Sequence, residues 1–256
     1  MNAEQATNFR SKLANKGVFG PFMKTTDPAF VEIAGHAGMD FVILDMEHGP
    51  GSLSEMQNLI RGARLTGALP IIRIGKLCEH GILQALDIGA AGIQVPMVST
   101  AKEAEAVVKY AKYHPEGGRG VCRFVRAANY SATPRERYFP SANKDTMVII
   151  QLEGCNVFEE LDEILKVKGI DIIFIGPYDL SQSLGVPGQT SHPKVVEAMK
   201  NIVDKAKKAG VVTGTFTDSP ETLETWKSAG VQYLSYSVDV GIFYNACIDL
   251  VKKFSH

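Results

Sequence analysis

The sequence predicts an α/β protein of the (β/α)8 barrel class, and a repeated local pattern leads to this prediction. In five segments a helix end is followed by a glycine and then by a short β-branched or aromatic run: GHAGMDFVILD (35–45), DIGAAGIQVPM (87–97), KVKGIDIIFIG (166–176), KKAGVVTGTF (207–216) and KSAGVQYLSY (227–236). A glycine after a helix adopts the left-handed conformation at low cost, so each segment marks a helix-to-strand turn. The runs are mostly continuous in hydrophobicity, as expected for parallel strands covered on both faces.

Three further apolar runs bring the number of predicted strands to eight: VFGPFM (18–23), LPIIRI (69–74) and MVIIQLE (147–153). Helical patterns alternate with the strands at about 28–37, 52–67, 78–90, 100–113, 155–166, 193–209, 219–229 and 239–253. Eight such pairs in 256 residues are typical of a TIM barrel. Because no change in composition marks a linker, we expect one domain over residues 1–256.

The stretch from residue 114 to 146 lacks a clear strand or helix pattern. It contains HPEGGRG (114–120) and the proline-bearing ATPRERYFPS (132–141), and it follows the fourth strand and helix. A long loop in a compact domain often carries function, although a disordered insertion would give the same pattern. We therefore expect an irregular loop here and leave its role open.

The composition argues against several classes of protein. With 45% hydrophobic residues and a formal net charge of −1, the chain can bury a large core but offers no basic field to nucleic acid. No apolar run approaches the roughly 18 residues of a spanning helix, and the first residues lack the apolar core of a signal peptide. The four cysteines form no CxxC pair, which argues against a zinc knuckle or a disulfide framework. We expect a cytoplasmic protein with neither nucleic acid nor membrane as partner.

The barrel prediction also says where functional residues should lie. Chemistry in this fold occurs at the carboxyl ends of the strands, so polar residues directly after each apolar run are the candidates. The segment FVILDMEHGP (41–50) places three titratable side chains there, and the next four strands add more. The candidates are Asp45, Glu47, His48, Arg73, Gln94, Gln151, Glu153 and Asp179.

Glu153 and Asp179 follow adjacent strands, with no His or Cys nearby in the sequence. Hard oxygen ligands of this kind, completed by water and substrate, suit Mg²⁺ or Mn²⁺ better than zinc. The alternative is that each is a loop acid or a helix cap, and Asp179 in GPYDLSQSLG could cap a short helix. Both interpretations stay open from spacing alone.

The basic candidates allow two interpretations as well. Arg73 ends an apolar run, where its charge needs an anion: either an oxyanion of the substrate or a neighbouring carboxylate. His48 near Asp45 suggests an imidazole oriented by a carboxylate, the usual arrangement of a general base, although a lone loop histidine is often merely polar.

Some mechanisms find no support in the sequence. An imine-forming aldolase needs a lysine at a strand end inside the barrel, and neither MVIIQLEG nor DIIFIGPYD contains one. Lys24 and Lys76 lie beyond strands one and three, where we expect solvated loop positions. GVPGQTSHPK and GGRG also lack the spacing and context of phosphate-binding and dinucleotide-binding loops. Metal-assisted chemistry is therefore favoured over covalent amine catalysis.

Five motifs, in this order and at these spacings, resemble those of the HpcH/HpaI aldolase family: LDMEHGP, PIIRI, LDIGAAGIQVPMV, QLEG and FIGPYDLSQSLG. Each motif alone is a weak signal, whereas the set is specific and runs from about residue 17 to 250. The family comprises metal-dependent class II pyruvate aldolases, acting for example on 4-hydroxy-2-oxoheptanedioate or 2-dehydro-3-deoxyglucarate. The resemblance implies a phosphoenolpyruvate/pyruvate-type barrel and a homo-oligomer, commonly a homohexamer of dimers that exchange their last helix.

The resemblance also implies roles for individual residues. His48 with Asp45 would be the acid/base dyad, Arg73 would hold the oxygen that becomes the enolate, and Glu153 and Asp179 would bind the metal beside Gln151. Asp87 matches a position that reaches a neighbouring subunit's site in the family. Backbone N–H groups of the stretch Gly176, Pro177, Tyr178 and Asp179 would bind the substrate carboxylate. No organic cofactor is implied; the metal would be Mg²⁺ or Mn²⁺, with Co²⁺ also compatible.

The chain departs from the family pattern at Tyr178, where many members have a small residue. Its stretch RGVCRFVRAANYSATPRERYF resembles the family's RG-x-R loop at Arg119 and Arg126. The later part of this loop would choose the aldehyde. Tyr130, Arg135 and Arg137 are candidates for contacting an acidic or hydroxylated tail, and solvated positions are favoured for the two arginines.

The implied reaction is reversible retro-aldol cleavage of a 4-hydroxy-2-oxo acid to pyruvate and an aldehyde. Breaking the C3–C4 bond leaves an enolate, so the barrier falls when the 2-oxo oxygen is already bound to a cation. Two alternatives stay open: a related metal–enolate lyase or oxaloacetate decarboxylase, and a non-catalytic barrel that binds a small oxo acid. The second is disfavoured because Asp45, His48, Arg73, Glu153 and Asp179 are all present.

Overall fold

The computed structural model describes residues 3–255, and its parallel strands close into a barrel in sequence order. The strands are β1 (Val18–Met23), β2 (Phe41–Asp45), β3 (Leu69–Arg73), β4 (Gly92–Val95), β5 (Met147–Leu152), β6 (Ile172–Ile175), β7 (Val212–Thr217) and β8 (Tyr233–Val238). Around them lie α1 (Ala3–Asn15), α2 (Pro28–His36), α3 (Leu53–Thr66), α4 (Glu79–Asp87), α5 (Ala101–Ala111), α6 (Arg135–Asp145), α7 (Val157–Ile164), α8 (Pro177–Ser183), α9 (Pro193–Ala209), α10 (Pro220–Ser228) and α11 (Asp239–Phe254).

The predicted (β/α)8 fold is confirmed, and the eight predicted strands and eight predicted helices all form. The eight predicted helices do not include α1 or the helix within 114–146, and the short helix α8 is considered only as an alternative for the stretch GPYDLSQSLG. The prediction of an irregular loop for the stretch 114–146 is wrong, because it contains a 3₁₀ turn (Arg126–Ser131) and α6. The two prolines of this stretch favoured an irregular loop, but Pro134 directly precedes α6 and Pro140 lies inside it. Tyr138 and Phe139 of α6 pack against Tyr113 in a small aromatic cluster, which fixes the helix in place.

Two apolar layers explain why the strands read as continuous hydrophobic runs. Side chains on the outer side of the strands pack against the helices in one large buried cluster. Side chains on the inner side fill the barrel, where the rings of Phe41 and Tyr233 stack with centroids 4.0 Å apart. Burying each such side chain contributes about 1.5–3 kcal/mol, which favours apolar residues on both faces of the strands. Strand β7 is an exception, with Thr213, Thr215 and Thr217 buried.

Strand register brings the polar residues of neighbouring strand ends side by side. Asp45 of β2 is paired with Arg73 of β3, and Arg73 is paired with Gln94 of β4. Gln151 lies one pair before the end of the β5–β6 ladder, opposite Phe174. The polar residues that follow each apolar run therefore share the carboxyl end of the barrel, as in other barrels of this class.

No helix between residues 3 and 255 is both long and apolar enough to cross a membrane.

Candidate active site

A pocket of about 400 Å³ opens at the carboxyl end of the barrel. It is lined by six of the predicted side chains: His48, Arg73, Gln151, Glu153, Tyr178 and Asp179. Gly176 and Pro177, also predicted to bind substrate, line the same pocket. The rule that placed candidates after each apolar run therefore led to one cavity for five of its eight candidates. The other three, Asp45, Glu47 and Gln94, contact residues of the lining instead. The cavity is large enough for a small oxo acid and an aldehyde.

Arg73 is the centre of a charged network on one side of the pocket. Its Nε and Nη2 donate to the two carboxylate oxygens of Asp45 at 2.9 and 2.7 Å, and its Nη1 lies 2.8 Å from Glu47 Oε2. Three of the five guanidinium N–H groups are used in this way, so two stay available. The guanidinium also lies over the ring of Phe22, 4.6 Å from its centroid. Arg73 is thus fixed by its own chain and can still donate to a substrate oxygen.

The pKa values of the two acids that bind Arg73 are shifted in opposite directions. Burial alone would raise the pKa of Asp45, but the hydrogen bonds and charge of Arg73, with the backbone N–H groups of His48 and Glu47, outweigh it and lower that pKa. Burial raises the pKa of Glu47, with Arg73 and His48 opposing the shift and Asp45 and Asp179 adding to it. Asp45 is therefore a permanent anion of the site.

The side chain of His48 does not contact Asp45 as the predicted dyad requires. Asp45 Oδ1 accepts the backbone N–H of His48 at 3.2 Å, whereas the imidazole Nε2 lies 3.9 Å from Glu47 Oε2. Asp45 is occupied by Arg73 and by backbone donors, which leaves Glu47 as the carboxylate nearest the imidazole. Because the His48 side chain is 56% exposed, it can reach into the pocket. Its role as acid/base stays a prediction.

Glu153 is held by a chain of amides on the opposite side of the pocket. Gln94 Nε2 donates to Gln151 Oε1 at 2.5 Å, and Gln151 Nε2 donates to Glu153 Oε2 at 3.0 Å. The second oxygen, Oε1, accepts the backbone N–H of Met97 at 2.8 Å. Met97 has a φ of 56°, a left-handed conformation that a non-glycine residue adopts at a cost of about 1–3 kcal/mol where the surroundings enforce it.

The electrostatic environment of Glu153 would favour a bound cation. Burial, with a smaller contribution from the charges of Asp179 and Glu47, raises its pKa to about 7 against the hydrogen bonds from Met97 and Gln151. Gly176 permits this crowding, since a Cβ there would lie 2.2 Å from Glu153 Oε2. Carboxylates whose charges disfavour the ionised form of a buried neighbour, as those of Asp179 and Glu47 do for Glu153, form a cluster that a divalent cation would stabilise.

The donor set fits a hard divalent metal ion. Glu153 and Asp179 offer carboxylate oxygens across one pocket, and neither is engaged by a cationic side chain within 4.0 Å among the described residues. In the described part of the chain no three His, Cys, Asp or Glu side chains form a metal-ligating group. Two protein carboxylates would therefore leave the other positions to water and substrate, as Mg²⁺ commonly has them.

The helix-cap alternative for Asp179 is not supported. Asp179 lies in the first turn of α8, whose N-cap is Gly176, and no side chain caps this helix. The expected carboxylate site formed by backbone N–H groups is smaller than predicted. The N–H of Gly176 donates to Leu152 O at 3.3 Å, and Pro177 has no N–H. At most Tyr178 and Asp179 can donate to a ligand.

Asp87 lies away from the other predicted catalytic residues. It ends α4, which runs from the carboxyl end of β3 to the amino end of β4, and its carboxylate lies 2.6 Å from Arg119 Nη2. The other catalytic candidates lie at the carboxyl end, so Asp87 does not reach its own pocket. Its role toward a neighbouring subunit stays a prediction.

Two charged residues of the pocket were missed by sequence reasoning. Lys24 lines the pocket with its Nζ 3.7 Å from Asp45 Oδ2, so the expectation that it is a solvated loop residue is wrong. Asp218 follows β7 and lines the outer part of the pocket. The rule that found Asp179 after β6 would have found Asp218 if it had been extended to the seventh strand.

Comparison with known proteins gives one consistent result. The family model described as HpcH/HpaI aldolase/citrate lyase matches residues 19–246. The chain is 32% identical to the hydroxypyruvate/pyruvate aldolase of Roseobacter denitrificans, over 99% of both chains. It is 33% identical to the 2-keto-3-deoxy-L-rhamnonate aldolase of Escherichia coli, over 96% of this chain and 92% of that protein. The crystal structure of an HpcH/HpaI aldolase from Desulfitobacterium hafniense superposes with a TM-score of 0.91 at 31% identity, over 100% of this chain and 97% of that one.

Proposed function

The chain belongs to the HpcH/HpaI aldolase/citrate lyase family, and from this premise we propose how its residues divide the work of an aldolase. It is a carbon–carbon lyase that cleaves an aldol to pyruvate and an aldehyde. The observation that carries the proposal is the convergence of Arg73, Glu153 and Asp179 on one pocket at the carboxyl end of the barrel. The substrate would be a 4-hydroxy-2-oxo acid.

Arg73 would stabilise the charge that develops at the 2-oxo oxygen. When the C3–C4 bond breaks, its electrons move toward that oxygen and form an enolate. The two free N–H groups of Arg73 can donate to the oxygen while Asp45 and Glu47 hold the guanidinium still. A donor already fixed in place does not reorganise during the reaction, and a single donor of this kind contributes roughly 10²–10³ in rate.

Glu153 and Asp179 would hold the divalent metal ion that enzymes of this family use. A metal bound there supplies Lewis-acid stabilisation of the enolate and orients the pyruvoyl part of the substrate. Mg²⁺ or Mn²⁺ fits the two hard carboxylates best, and Co²⁺ would also be accepted. Gln151 fixes Glu153 through its amide N–H, and Gln94 fixes Gln151 in turn.

His48 would take the proton from the 4-hydroxyl during cleavage and return it during aldol addition. Its side chain lines the pocket, is half exposed and has its Nε2 3.9 Å from the carboxylate of Glu47. A carboxylate beside the imidazole stabilises the imidazolium that forms when the proton arrives. We therefore assign to Glu47 the supporting position that the sequence had suggested for Asp45.

The surface of α11 supports a homo-oligomer. Asp239 is the buried residue of this helix, whereas seven of its large apolar side chains are exposed: Val240, Ile242, Phe243, Tyr244, Leu250, Val251 and Phe254. A contiguous apolar surface of this kind marks an interaction site. We propose that a second copy of the chain covers it within a larger assembly, with a hexamer as the expected size.

Exchange of the methyl protons of pyruvate tests the enolate site without knowledge of the aldehyde. Protein stripped with a chelator is placed with pyruvate in D₂O, and the methyl signal is followed by NMR before and after Mg²⁺ or Mn²⁺ is added. We expect exchange that depends on the metal, because enolisation is the half-reaction shared by all forms of this chemistry. Absence of exchange in protein shown to bind the metal would refute pyruvate as the product.

A further inference from the structure

The outer wall of the pocket carries a polar pair that none of the roles above uses. The hydroxyl of Tyr178 donates to Asp218 Oδ2 at 2.5 Å, and both side chains line the pocket. The ring of Tyr178 packs edge-on against Phe216, with centroids 5.9 Å apart. Glu153 and Arg73 are buried, whereas Tyr178 is 45% exposed. With the pyruvoyl end held by Glu153 and Arg73 as proposed above, this pair would face the part of the substrate that becomes the aldehyde.

The cationic side chains of the pocket have carboxylate partners, whereas Asp218 has no cationic partner among the described residues. Its two permanent cations face carboxylates of their own chain, since Arg73 is bound to Asp45 and Glu47 and Lys24 lies 3.7 Å from Asp45. Asp218 receives only a neutral hydroxyl among the described contacts of its carboxylate. The aldehyde end is therefore bordered by an uncompensated negative charge.

The pair is suited to bind hydroxyl groups. The hydroxyl of Tyr178 donates its proton to Asp218 Oδ2, so the oxygens of the pair are left to accept hydrogen bonds from a ligand. The carboxylate accepts hydrogen bonds, and the phenol oxygen can accept one as well. Among the residues that the structure describes, a carboxylate on the aldehyde would find no free cation here, and it would be repelled by Asp218.

We propose that Asp218 and Tyr178 form a selectivity wall that favours neutral, hydroxylated aldehydes and rejects aldehydes with a carboxylate tail. The proposal rests on the proposed function, since it concerns the second product of that reaction. It assigns the choice of aldehyde to the ends of β6 and β7 rather than to the stretch 114–146.

The test compares kcat/KM for the addition of pyruvate to glyceraldehyde, which is neutral and hydroxylated, and to succinic semialdehyde, which is anionic. We expect the wild type to prefer glyceraldehyde at least tenfold. Asp218→Asn removes the charge at constant shape and should lower this preference about tenfold. Tyr178→Phe removes the hydroxyl that shields the carboxylate and should raise it. Opposite shifts in two neighbouring variants do not arise from partial unfolding.

Glu221→Gln is the matched control, because this exposed acid of α10 lies outside the pocket and its loss should leave the preference unchanged. A wild type that prefers succinic semialdehyde, or an Asp218→Asn variant with the wild-type preference, overturns the selectivity wall. Pyruvate proton exchange on the same preparations distinguishes a failure of the selectivity wall from a failure of the aldolase function on which it rests. Exchange with an unchanged preference refutes the wall alone, whereas no exchange in metal-loaded wild type refutes the aldolase function and the wall with it.

Discussion

Asp45 owes its ionised state to Arg73, which lies next to it across the β2–β3 ladder. The pairing leaves the imidazole of His48 to Glu47. It also leaves Glu153 and Asp179 without a cationic partner among the described residues. The pocket therefore has one side on which Arg73 is neutralised by carboxylates and an acidic side without a cationic partner in the described part of the chain. In the proposed mechanism the first side would position the substrate and transfer the proton, and the second would hold the metal.

Asp179→Ala should abolish metal-dependent activity and leave the fold intact. Asp179 is exposed and caps no helix, so its removal takes away a metal ligand without breaking a structural contact. Metal affinity measured by calorimetry should fall at least tenfold, and pyruvate exchange should be lost. Asp162→Ala is the control, because this acid pairs with Lys205 away from the pocket. Turnover near that of wild type in Asp179→Ala would remove this residue from the ligand set.

His48→Ala should retain metal affinity and lose most aldol cleavage. A positioned acid/base group contributes roughly 10²–10⁴ in rate, so we expect a decrease of at least 100-fold in kcat. The measurement is steady-state cleavage with saturating metal, and His80→Ala, an exposed residue of α4, serves as control. Unchanged cleavage in His48→Ala would move the proton transfer to another group, with Glu47 as the first candidate.

At the scale of elements, the junction between β6 and α8 determines the geometry of the acidic side. Gly176 begins α8 with an ordinary φ of −86°, so the position needs glycine for space and not for backbone freedom. The carboxylate of Glu153, which follows β5, enters that space from the neighbouring strand. The approach of two neighbouring strand ends therefore depends on the absence of one side chain.

Gly176→Ala should weaken metal binding while leaving stability nearly unchanged. The added Cβ would lie 2.2 Å from Glu153 Oε2, so the carboxylate must move. The backbone itself is unstrained, and we expect the unfolding midpoint to shift by only about 2 °C, which corresponds to roughly 1 kcal/mol or less. Calorimetric metal titration and thermal unfolding check both parts. Gly118→Ala, at an exposed position, is the control, and metal affinity equal to that of this control would show that Glu153 has no such constraint.

At the scale of the whole molecule, the barrel is closed and well filled but its last helix is not covered. The two core clusters occupy the barrel interior and the layer between strands and helices. By contrast, α11 exposes apolar side chains along much of its length, and Phe254 is 94% exposed. With a formal net charge of only −1, electrostatic repulsion between copies is weak, so association through this helix is unopposed.

Light scattering after gel filtration should therefore give a mass that is a multiple of the 27.8 kDa chain, with six copies as the expected number. Leu250→Asp places a charge on the exposed apolar surface of α11 and should reduce the mass. Lys253→Asp, a change of charge on the same helix at a polar position, should not. A wild type that elutes as a monomer at micromolar concentration would contradict the assembly.

The sequence by itself determined the order of strands and helices, because glycine-terminated helices and continuous apolar runs are local properties of the chain. It also determined that Arg73, Glu153 and Asp179 lie at one end of the barrel, since the fold places every strand end there. Only the tertiary structure decided the partners: Asp45 with Arg73, His48 with Glu47, and Tyr178 with Asp218. Strand register and side-chain packing choose among several polar groups that all lie within reach, and neither can be read from spacing along the chain. Asp87 is an example: it was predicted to be a site residue, but in the structure it lies at the amino end of the barrel, where its carboxylate is bound to Arg119.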